Sequence, residues 1–175
     1  MSKRRIYLVG MPGCGKSTLG KALAEKLNYT FVDLDTEIEN VENRTIPQIF
    51  ETEGEDYFRK VEQKVLHDNL VDNAVIATGG GAPCFFDNMD FIKNNGISIF
   101  IDADIEQLAE RVLSQKGTRP LLSHAEDLLT VSKSLEEKYN ARLPFYTKSD
   151  FRLFVKDKSV EKLAEEVHQW LNRDI

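Results

Sequence analysis

The sequence of 175 residues has two cysteines, three histidines and no long run of apolar residues. Two cysteines cannot build a disulfide framework or a cysteine-based zinc site, and the histidines lack the close spacing of paired metal ligands. The apolar runs stay well below the roughly 20 residues that a membrane-spanning helix requires. These absences argue against a disulfide-stapled protein, a zinc protein of these types and a membrane protein.

Positive charge is also scarce, since 23 Lys and Arg stand against 29 Asp and Glu, for a net charge of −6. With no basic block to offset this balance, we expect no nucleic-acid partner. Residues 1–5 lead into an apolar run without the long apolar region of a secretory signal, which together with the low cysteine content predicts a cytoplasmic protein. The length fits one domain over residues 1–175, and we expect a monomer without a membrane partner.

Five short, mostly apolar runs alternate with stretches of helical periodicity. The runs cover residues 6–9, 30–32, 74–77, 97–101 and 151–155. Continuous apolar runs are typical of buried parallel strands, and strands that alternate with helices predict an α/β fold. Thr45 followed by Gln48 predicts a helix N-cap. Apolar residues recur at helical spacing from Val160 to Leu171, which we interpret as core packing.

Residues 10–17 read G-M-P-G-C-G-K-S and match the phosphate-binding pattern G-x-x-x-x-G-K-[ST] at each fixed position. An apolar run precedes the octet and a helical stretch follows it, so backbone N–H groups and the helix dipole would surround one phosphate. In this pattern Lys16 reaches the β- and γ-phosphates and the hydroxyl of Ser17 holds Mg²⁺. The alternative is an ordinary glycine-rich turn, which the flanking elements disfavour.

Two carboxylates, Asp33 and Asp35, follow the second predicted strand, at the edge of the sheet where α/β folds bind ligands. In an extended segment they would share one face and repel each other, unless a cation or a substrate hydroxyl lay between them. Mg²⁺ with its waters meets this requirement, and Asp33 is the best candidate ligand because the third strand has no terminal acidic residue. The alternative is that Asp35 only caps a helix.

Three consecutive glycines, Gly79–Gly81, follow the third predicted strand and would let a ligand approach the main chain. The side chains of Arg59, Arg119 and Arg142 suit bidentate contacts to carboxylate or phosphate. Each of them alone is more often a solvated surface charge, and their spacing does not bring them together. Residues 114–124 lack periodicity and are either a surface loop or a lid that closes over a nucleotide.

Taken together, these motifs strongly resemble those of the shikimate kinases over nearly the whole chain. The aspartate pair, the F-R pair, the triple glycine and R-x-P-x-Y, in that order, are more specific than the phosphate loop. The matching segments are G-M-P-G-C-G-K-S-T at 10–18, D-L-D at 33–35, I-F-E-T-E-G-E-D-Y-F-R at 49–59, G-G-G-A at 79–82, R-P-L-L at 119–122 and R-L-P-F-Y at 142–146.

The resemblance implies the fold of the nucleoside monophosphate kinases, with three α/β/α layers and a five-stranded parallel sheet in the order 2-3-1-4-5. It implies phosphorylation of the 3-hydroxyl of shikimate by ATP, with Mg²⁺ as cofactor, in aromatic amino acid biosynthesis. It also implies a substrate-binding segment around residues 33–61 and a mobile lid around residues 112–124.

Roles for individual residues follow from the same resemblance. Arg59 and Arg142 would bind the shikimate carboxylate, and Asp35 would accept a hydrogen bond from the reacting hydroxyl. The catalytic residues would be Lys16, Asp35 and Arg119. Further acceptor contacts would come from Gly80, Gly81, Phe50 and Phe58. The nucleotide would be held by Gly13, Cys14, Gly15, Lys16, Ser17, Thr18, Arg111 and Arg119, and the metal by Ser17 and Asp33.

One further role is local, since Glu62 lies three residues beyond Arg59 on a predicted helix and would orient its guanidinium. Two rival functions remain at this stage. The first is a kinase for another small metabolite, such as gluconate or a nucleotide. The second is a GTPase-like switch or regulatory binding module, because residues 147–150 read T-K-S-D and imitate a guanine-specificity motif. These residues precede a strand, however, and the sequence has no D-x-x-G.

Overall fold

The computed structural model of the protein describes residues 4–116 and 124–174. The strands are β1 (Arg5–Val9), β2 (Thr30–Asp33), β3 (Ala74–Ala77), β4 (Ile97–Asp102) and β5 (Phe151–Phe154). The helices are α1 (Lys16–Leu27), α2 (Leu34–Glu42), α3 (Ile46–Glu53), α4 (Glu55–Asp68), α5 (Asn88–Asn95), α6 (Ile105–Lys116), α7 (His124–Tyr146) and α8 (Val160–Asp174).

The five strands form one parallel sheet in the order β2-β3-β1-β4-β5, with helices around it. In the central strand β1, Tyr7 lies beside Ile76 of β3 and Ser98 of β4. Residues 6–9 of this strand are at most 1% exposed, as expected for a strand with covered faces. The predicted fold class and strand order are therefore confirmed, and the carboxyl ends of the strands meet at one edge.

Local sequence signals explain several helix boundaries. Helix α1 begins directly after Gly15, whose φ of 102° is strained for a residue with a side chain. The predicted cap of α3 is confirmed as a capping box, in which Thr45 and Gln48 each accept a backbone N–H from the other. In α8, Leu163, Ala164, Val167 and Leu171 of the apolar stripe are buried in the core and Trp170 stacks on Phe151 at 4.7 Å, which confirms core packing for these residues. Val160 is only half-buried.

The structure corrects two expectations. Asp33 and Asp35 do not lie in one extended segment, because α2 begins at Leu34 and places Asp35 in its first turn. The cap of this helix is Asp33 and not Asp35. The irregular segment expected over residues 114–124 is helical at both ends, because α6 continues through Lys116 and α7 begins at His124. None of the helices in the described ranges has the length and apolarity that crossing a membrane requires.

Candidate active site

The loop between β1 and α1 has the backbone of a phosphate cradle. Gly10, Gly13 and Gly15 have φ angles of 147°, 78° and 102°, a region that strongly favours glycine. Lys16 is only 9% exposed, and its Nζ donates hydrogen bonds of 2.9 Å to the carbonyl oxygens of Gly10 and Met11. The ammonium is therefore held inside the loop, next to the N-terminus of α1, where an anion is favoured.

The second residue of α1 connects this loop to strand β2. The hydroxyl of Ser17 donates a 2.6 Å hydrogen bond to Oδ2 of Asp33. The other oxygen of that carboxylate, Oδ1, accepts the backbone N–H of Asp35 at 3.1 Å and caps α2. Asp33 thus fixes the start of α2 while it presents one oxygen to the phosphate loop.

A second carboxylate, that of Asp35, lies near the phosphate loop and Asp33. Asp35 extends from the first turn of α2, and its Oδ1 lies so close to Gly79 that a Cβ there would stand 3.0 Å away. Burial by the surrounding protein raises the pKa of Asp35 above its ordinary value, and the nearby charge of Asp33 raises it further. The charges of Lys16 and Arg59 oppose this shift. Asp35 is therefore a more basic carboxylate than an exposed aspartate.

Arg59, on the buried face of α4, is fixed by two glutamates. Its Nη1 donates to Oε2 of Glu62 at 2.7 Å, while Nε and Nη2 donate to Oε1 of Glu55 at 3.2 and 3.1 Å. These bonds use three of the five guanidinium N–H groups and leave one on each Nη without an acceptor among the described residues. Burial raises the pKa of Glu62, and the hydrogen bond from Arg59 lowers it. The orienting role expected for Glu62 has the contact that it requires.

The last turns of α7 bring a second arginine to the site. Nη1 of Arg142 is buried and has no hydrogen-bond partner in the described part of the chain. Four residues later, Tyr146 is fully buried, and its hydroxyl donates to the carbonyl of Gly80. Gly80 in turn lies against Pro12, since a Cβ there would come within 2.6 Å of the proline ring. The phosphate loop therefore packs directly against the glycine segment (Gly79–Gly81), and the two form one shared wall.

Most of these groups line one cavity of about 670 Å³. Its lining includes the phosphate loop, both aspartates, both arginines and the three glycines. Phe50 and Phe58 also line it, with ring centres 4.6 Å apart. The structure thus brings together each residue that the sequence singled out for the site, except Arg119, which lies outside the described residues.

The other end of the cavity is formed by α6, α8 and the residues between β5 and α8. Arg111 donates a 2.6 Å hydrogen bond to the carbonyl of Gly13, so its guanidinium lies beside the phosphate loop. The wall here also includes Val155, Lys158 and Leu163, to which the sequence assigned no role at the site, because Val155 ends a predicted strand and Leu163 belongs to the stripe that was interpreted as core packing. This end is adjacent to the phosphate cradle and is open to the base and sugar of a nucleotide.

The T-K-S-D segment does not behave as a guanine-binding motif. Asp150 is occupied by β4, because its Oδ2 accepts both the backbone N–H and the hydroxyl of Ser98 at 2.8 Å. Asp150 directly precedes β5, at the opposite end of that strand from Val155 in the cavity wall. The carboxylate that would recognise guanine thus has a structural role, which removes the sequence support for a GTPase-like switch.

A phosphate loop after the central strand of a 2-3-1-4-5 sheet, facing a second pocket with two arginines and a carboxylate, defines a P-loop kinase for a small acidic acceptor. The described residues hold no cluster of three or more His, Cys, Asp or Glu that could bind a metal by itself.

Comparison with known proteins identifies the family. The shikimate kinase family model matches residues 12–172. A shikimate kinase of Azobacteroides pseudotrichonymphae is 41% identical over 93% of this chain and 96% of its own, and one of Parabacteroides distasonis is 42% identical over 83% and 84%. The chain belongs to the shikimate kinase family, and it is an enzyme that phosphorylates shikimate at the expense of ATP.

Solved structures agree with this assignment. A crystal structure of shikimate kinase from Bacteroides thetaiotaomicron has a TM-score of 0.87 and 36% identity, and the match covers 98% of this chain and 99% of that one. Shikimate kinase from Acinetobacter baumannii in complex with shikimate also has a TM-score of 0.87, with 34% identity over 99% of this chain and 95% of that one. The fold of this chain therefore corresponds to that of both solved structures over essentially its full length.

Proposed function

We propose that the chain transfers the γ-phosphoryl group of ATP to the 3-hydroxyl of shikimate inside this cavity, with ATP on the phosphate loop and shikimate between α2, α4 and α7. The observation that carries this proposal is the convergence of Lys16, Asp35, Arg59 and Arg142 on one cavity. Residues 33–61 would form most of the acceptor pocket. The single domain would act as a monomer in the cytoplasm.

The acceptor carboxylate would bind between the two arginines. Arg59 has one N–H left on each Nη, and a carboxylate can accept both in a bidentate pair. Arg142 supplies a buried Nη1 that has no partner among the described residues and gains one when an anion binds. Gly80 and Gly81 would line the space that the ring occupies, and Phe50 and Phe58 would cover its apolar face.

Asp35 would receive the hydrogen of the reacting hydroxyl. Its raised pKa makes it a better proton acceptor than an ordinary aspartate, as long as it is ionised. Phosphoryl transfer passes through a loose transition state in most analyses, so positioning of the hydroxyl contributes more than early removal of its proton. Asp35 therefore orients the nucleophile first and accepts the proton as the new bond forms.

On the donor side, Lys16 and the loop amides would stabilise the charge of the transferring group. In the structure the ammonium of Lys16 donates hydrogen bonds to two loop carbonyls. When ATP binds, it would reorient toward the β- and γ-phosphates. Gly13, Cys14, Gly15, Ser17 and Thr18 would complete the cradle, and Arg111 would contact the base. For Arg119 and the lid over residues 112–124, the support is the sequence resemblance.

The residues present fit Mg²⁺. Ser17 Oγ and Asp33 Oδ2 are hard oxygen donors only 2.6 Å apart, at the start of α1. They would hold the ion, Ser17 directly and Asp33 through water. When bound, Mg²⁺ supplies positive charge that neutralises the β- and γ-phosphates.

A coupled assay with ATP and a panel of acceptors tests the proposal. Shikimate should be phosphorylated at its 3-hydroxyl, while gluconate and nucleoside monophosphates should be poor acceptors. Arg142→Lys keeps the charge but loses the fork, so it should lower the preference for shikimate. Efficient phosphorylation of a neutral sugar or a nucleotide, or nucleotide hydrolysis without an acceptor product, would contradict the proposal. Light scattering at assay concentration tests the monomer.

A further inference from the structure

Arg59 has a close aromatic neighbour outside its ion pairs. Its guanidinium carbon lies 4.1 Å from the centre of the Phe85 ring, compared with 5.1 Å from that of Phe58. Phe58 is among the residues that line the cavity, whereas Phe85 is not. At this distance a ring both attracts the cation and limits its movement out of plane.

The two glutamates do not fix the guanidinium equally. Glu62 is 1% exposed and holds Nη1 firmly, but the side chain of Glu55 is 54% exposed, so solvent weakens its ion pair. Hydrogen bonds at the edges of a guanidinium also leave its tilt about those edges loosely defined. A ring against its face restricts this tilt, which decides where the two remaining N–H groups point.

The segment that carries Phe85 is itself well anchored to the glycine segment. The N–H of Cys84 donates to the carbonyl of Gly81 at 2.9 Å, and the N–H of Asn88 donates to that of Phe85 at 3.3 Å. The side chain of Asn88 is fully buried and donates to the carbonyl of Ala82 at 2.9 Å. Phe85 therefore links Arg59 to the glycine segment that lines the cavity.

We propose that Phe85 is a positioning residue for the acceptor, acting through Arg59 by stacking on its guanidinium and fixing the direction of its two remaining N–H groups. This inference rests on the proposed function, in which Arg59 binds the acceptor carboxylate. Phe85 touches no reacting atom, so its effect belongs to acceptor binding and not to the chemical step.

The adjacent Phe86 provides a matched control, because it is the same residue type but 57% exposed. In Phe85→Leu, the KM for shikimate should rise about 10-fold, while kcat and the KM for ATP change less than about twofold. Phe85→Trp should keep the KM near that of the wild type because the ring face remains. Phe86→Leu should leave all three constants unchanged. The melting temperature of each variant reports on folding.

An unchanged KM for shikimate in Phe85→Leu overturns the inference. The inference also fails if Phe85→Leu lowers kcat and raises the KM for both substrates to a similar extent, and Phe85→Trp does not rescue these changes. That pattern would indicate a structural role. Arg59→Lys separates this failure from failure of the proposed function. If Arg59→Lys leaves the KM for shikimate unchanged, then Arg59 does not bind the acceptor. If only Phe85→Leu is silent, the acceptor site stands and the role of Phe85 falls.

Discussion

The hydroxyl of Ser17 and the carboxylate of Asp33 are joined by a 2.6 Å hydrogen bond between the first turn of α1 and the end of β2. Asp33 uses its other oxygen to cap α2, the helix that carries Asp35. One carboxylate thus connects the donor loop to the acceptor pocket. Its structural role and its proposed metal-binding role can be separated because an amide also caps a helix well but carries no charge.

Asp33→Asn should therefore raise the Mg²⁺ concentration for half-maximal activity about tenfold or more, because the charge is lost. The melting temperature should stay close to that of the wild type. Asp33→Ala should show the same metal effect and lose about 1 kcal/mol of stability, since it also removes the cap. Magnesium titrations at saturating ATP, with thermal melts, measure both. A normal magnesium dependence in Asp33→Asn would remove Asp33 from the metal site.

Lys16→Ala should lower kcat by a factor of about 10² to 10³ or more, because the transferring group loses its nearest positive charge. Circular dichroism should show an intact fold. Lys21→Ala changes an exposed lysine of the same helix and should have wild-type turnover. If Lys16→Ala turns over nearly as fast as this control, the catalytic assignment of Lys16 is wrong.

Arg142→Ala should mainly weaken shikimate binding, by about 2–4 kcal/mol, because it would remove the charge that we propose pairs with the carboxylate through its buried Nη1. This corresponds to an affinity loss of roughly 30- to 1000-fold in isothermal titration. Nucleotide affinity should be nearly unchanged. Arg152→Ala removes an exposed arginine paired with Asp102 and serves as the control. Equal shikimate affinity in Arg142→Ala and the wild type would place the carboxylate elsewhere.

The raised pKa of Asp35 predicts how activity depends on pH. The carboxylate must be ionised to accept the hydroxyl proton, so kcat/KM should fall on acidification at a higher pH than for an ordinary aspartate. Glu62 also has a pKa raised by burial, so the variant Glu62→Gln distinguishes the two groups. The fall in kcat/KM on acidification should persist in Glu62→Gln. If it disappears in this variant, the titrating group is Glu62 and not Asp35.

The same pKa shift predicts an effect on stability. A carboxylate whose pKa is higher in the folded state destabilises the fold where it is ionised, and this cost disappears as the pH falls through the folded pKa and then the unfolded pKa. Asp35→Asn should therefore raise the melting temperature at pH 7 and lower kcat about 100-fold. The melting-temperature difference from the wild type should shrink at acidic pH. A lower melting temperature at pH 7 would contradict the predicted direction.

Patterns that are local in sequence predicted most of the fold and much of the site. The phosphate loop, the five apolar runs and the Thr45 cap depend on neighbouring residues, and each appears where the sequence places it. Helix α7 was not predicted because its apolar periodicity is weak and Pro144 lies within it. The alternative in which Asp35 caps α2 placed the start of this helix two residues too late, since aspartates at 33 and 35 are equally good caps until the end of the strand is known.

Contacts between distant segments were out of reach. Glu55 precedes Arg59 by one helical turn, so an i, i+4 ion pair was available as a signal. By contrast, Phe85 meets Arg59, and Tyr146 meets Gly80, only after the sheet has assembled. The resemblance supplied the roles of Arg59 and Arg142, but the single cavity that joins them to Lys16 is a property of the folded chain.

The wall shared by Pro12 and Gly80 has a consequence for inhibitor design. Since both proposed subsites belong to one cavity, one compound could join a nucleotide analogue to a cyclic acid. The second half would then bind at high effective concentration, so a linker of matching span would increase affinity about 10²- to 10⁴-fold over either half. The linker length that gives the highest affinity would measure the distance that the phosphoryl group crosses between the two subsites.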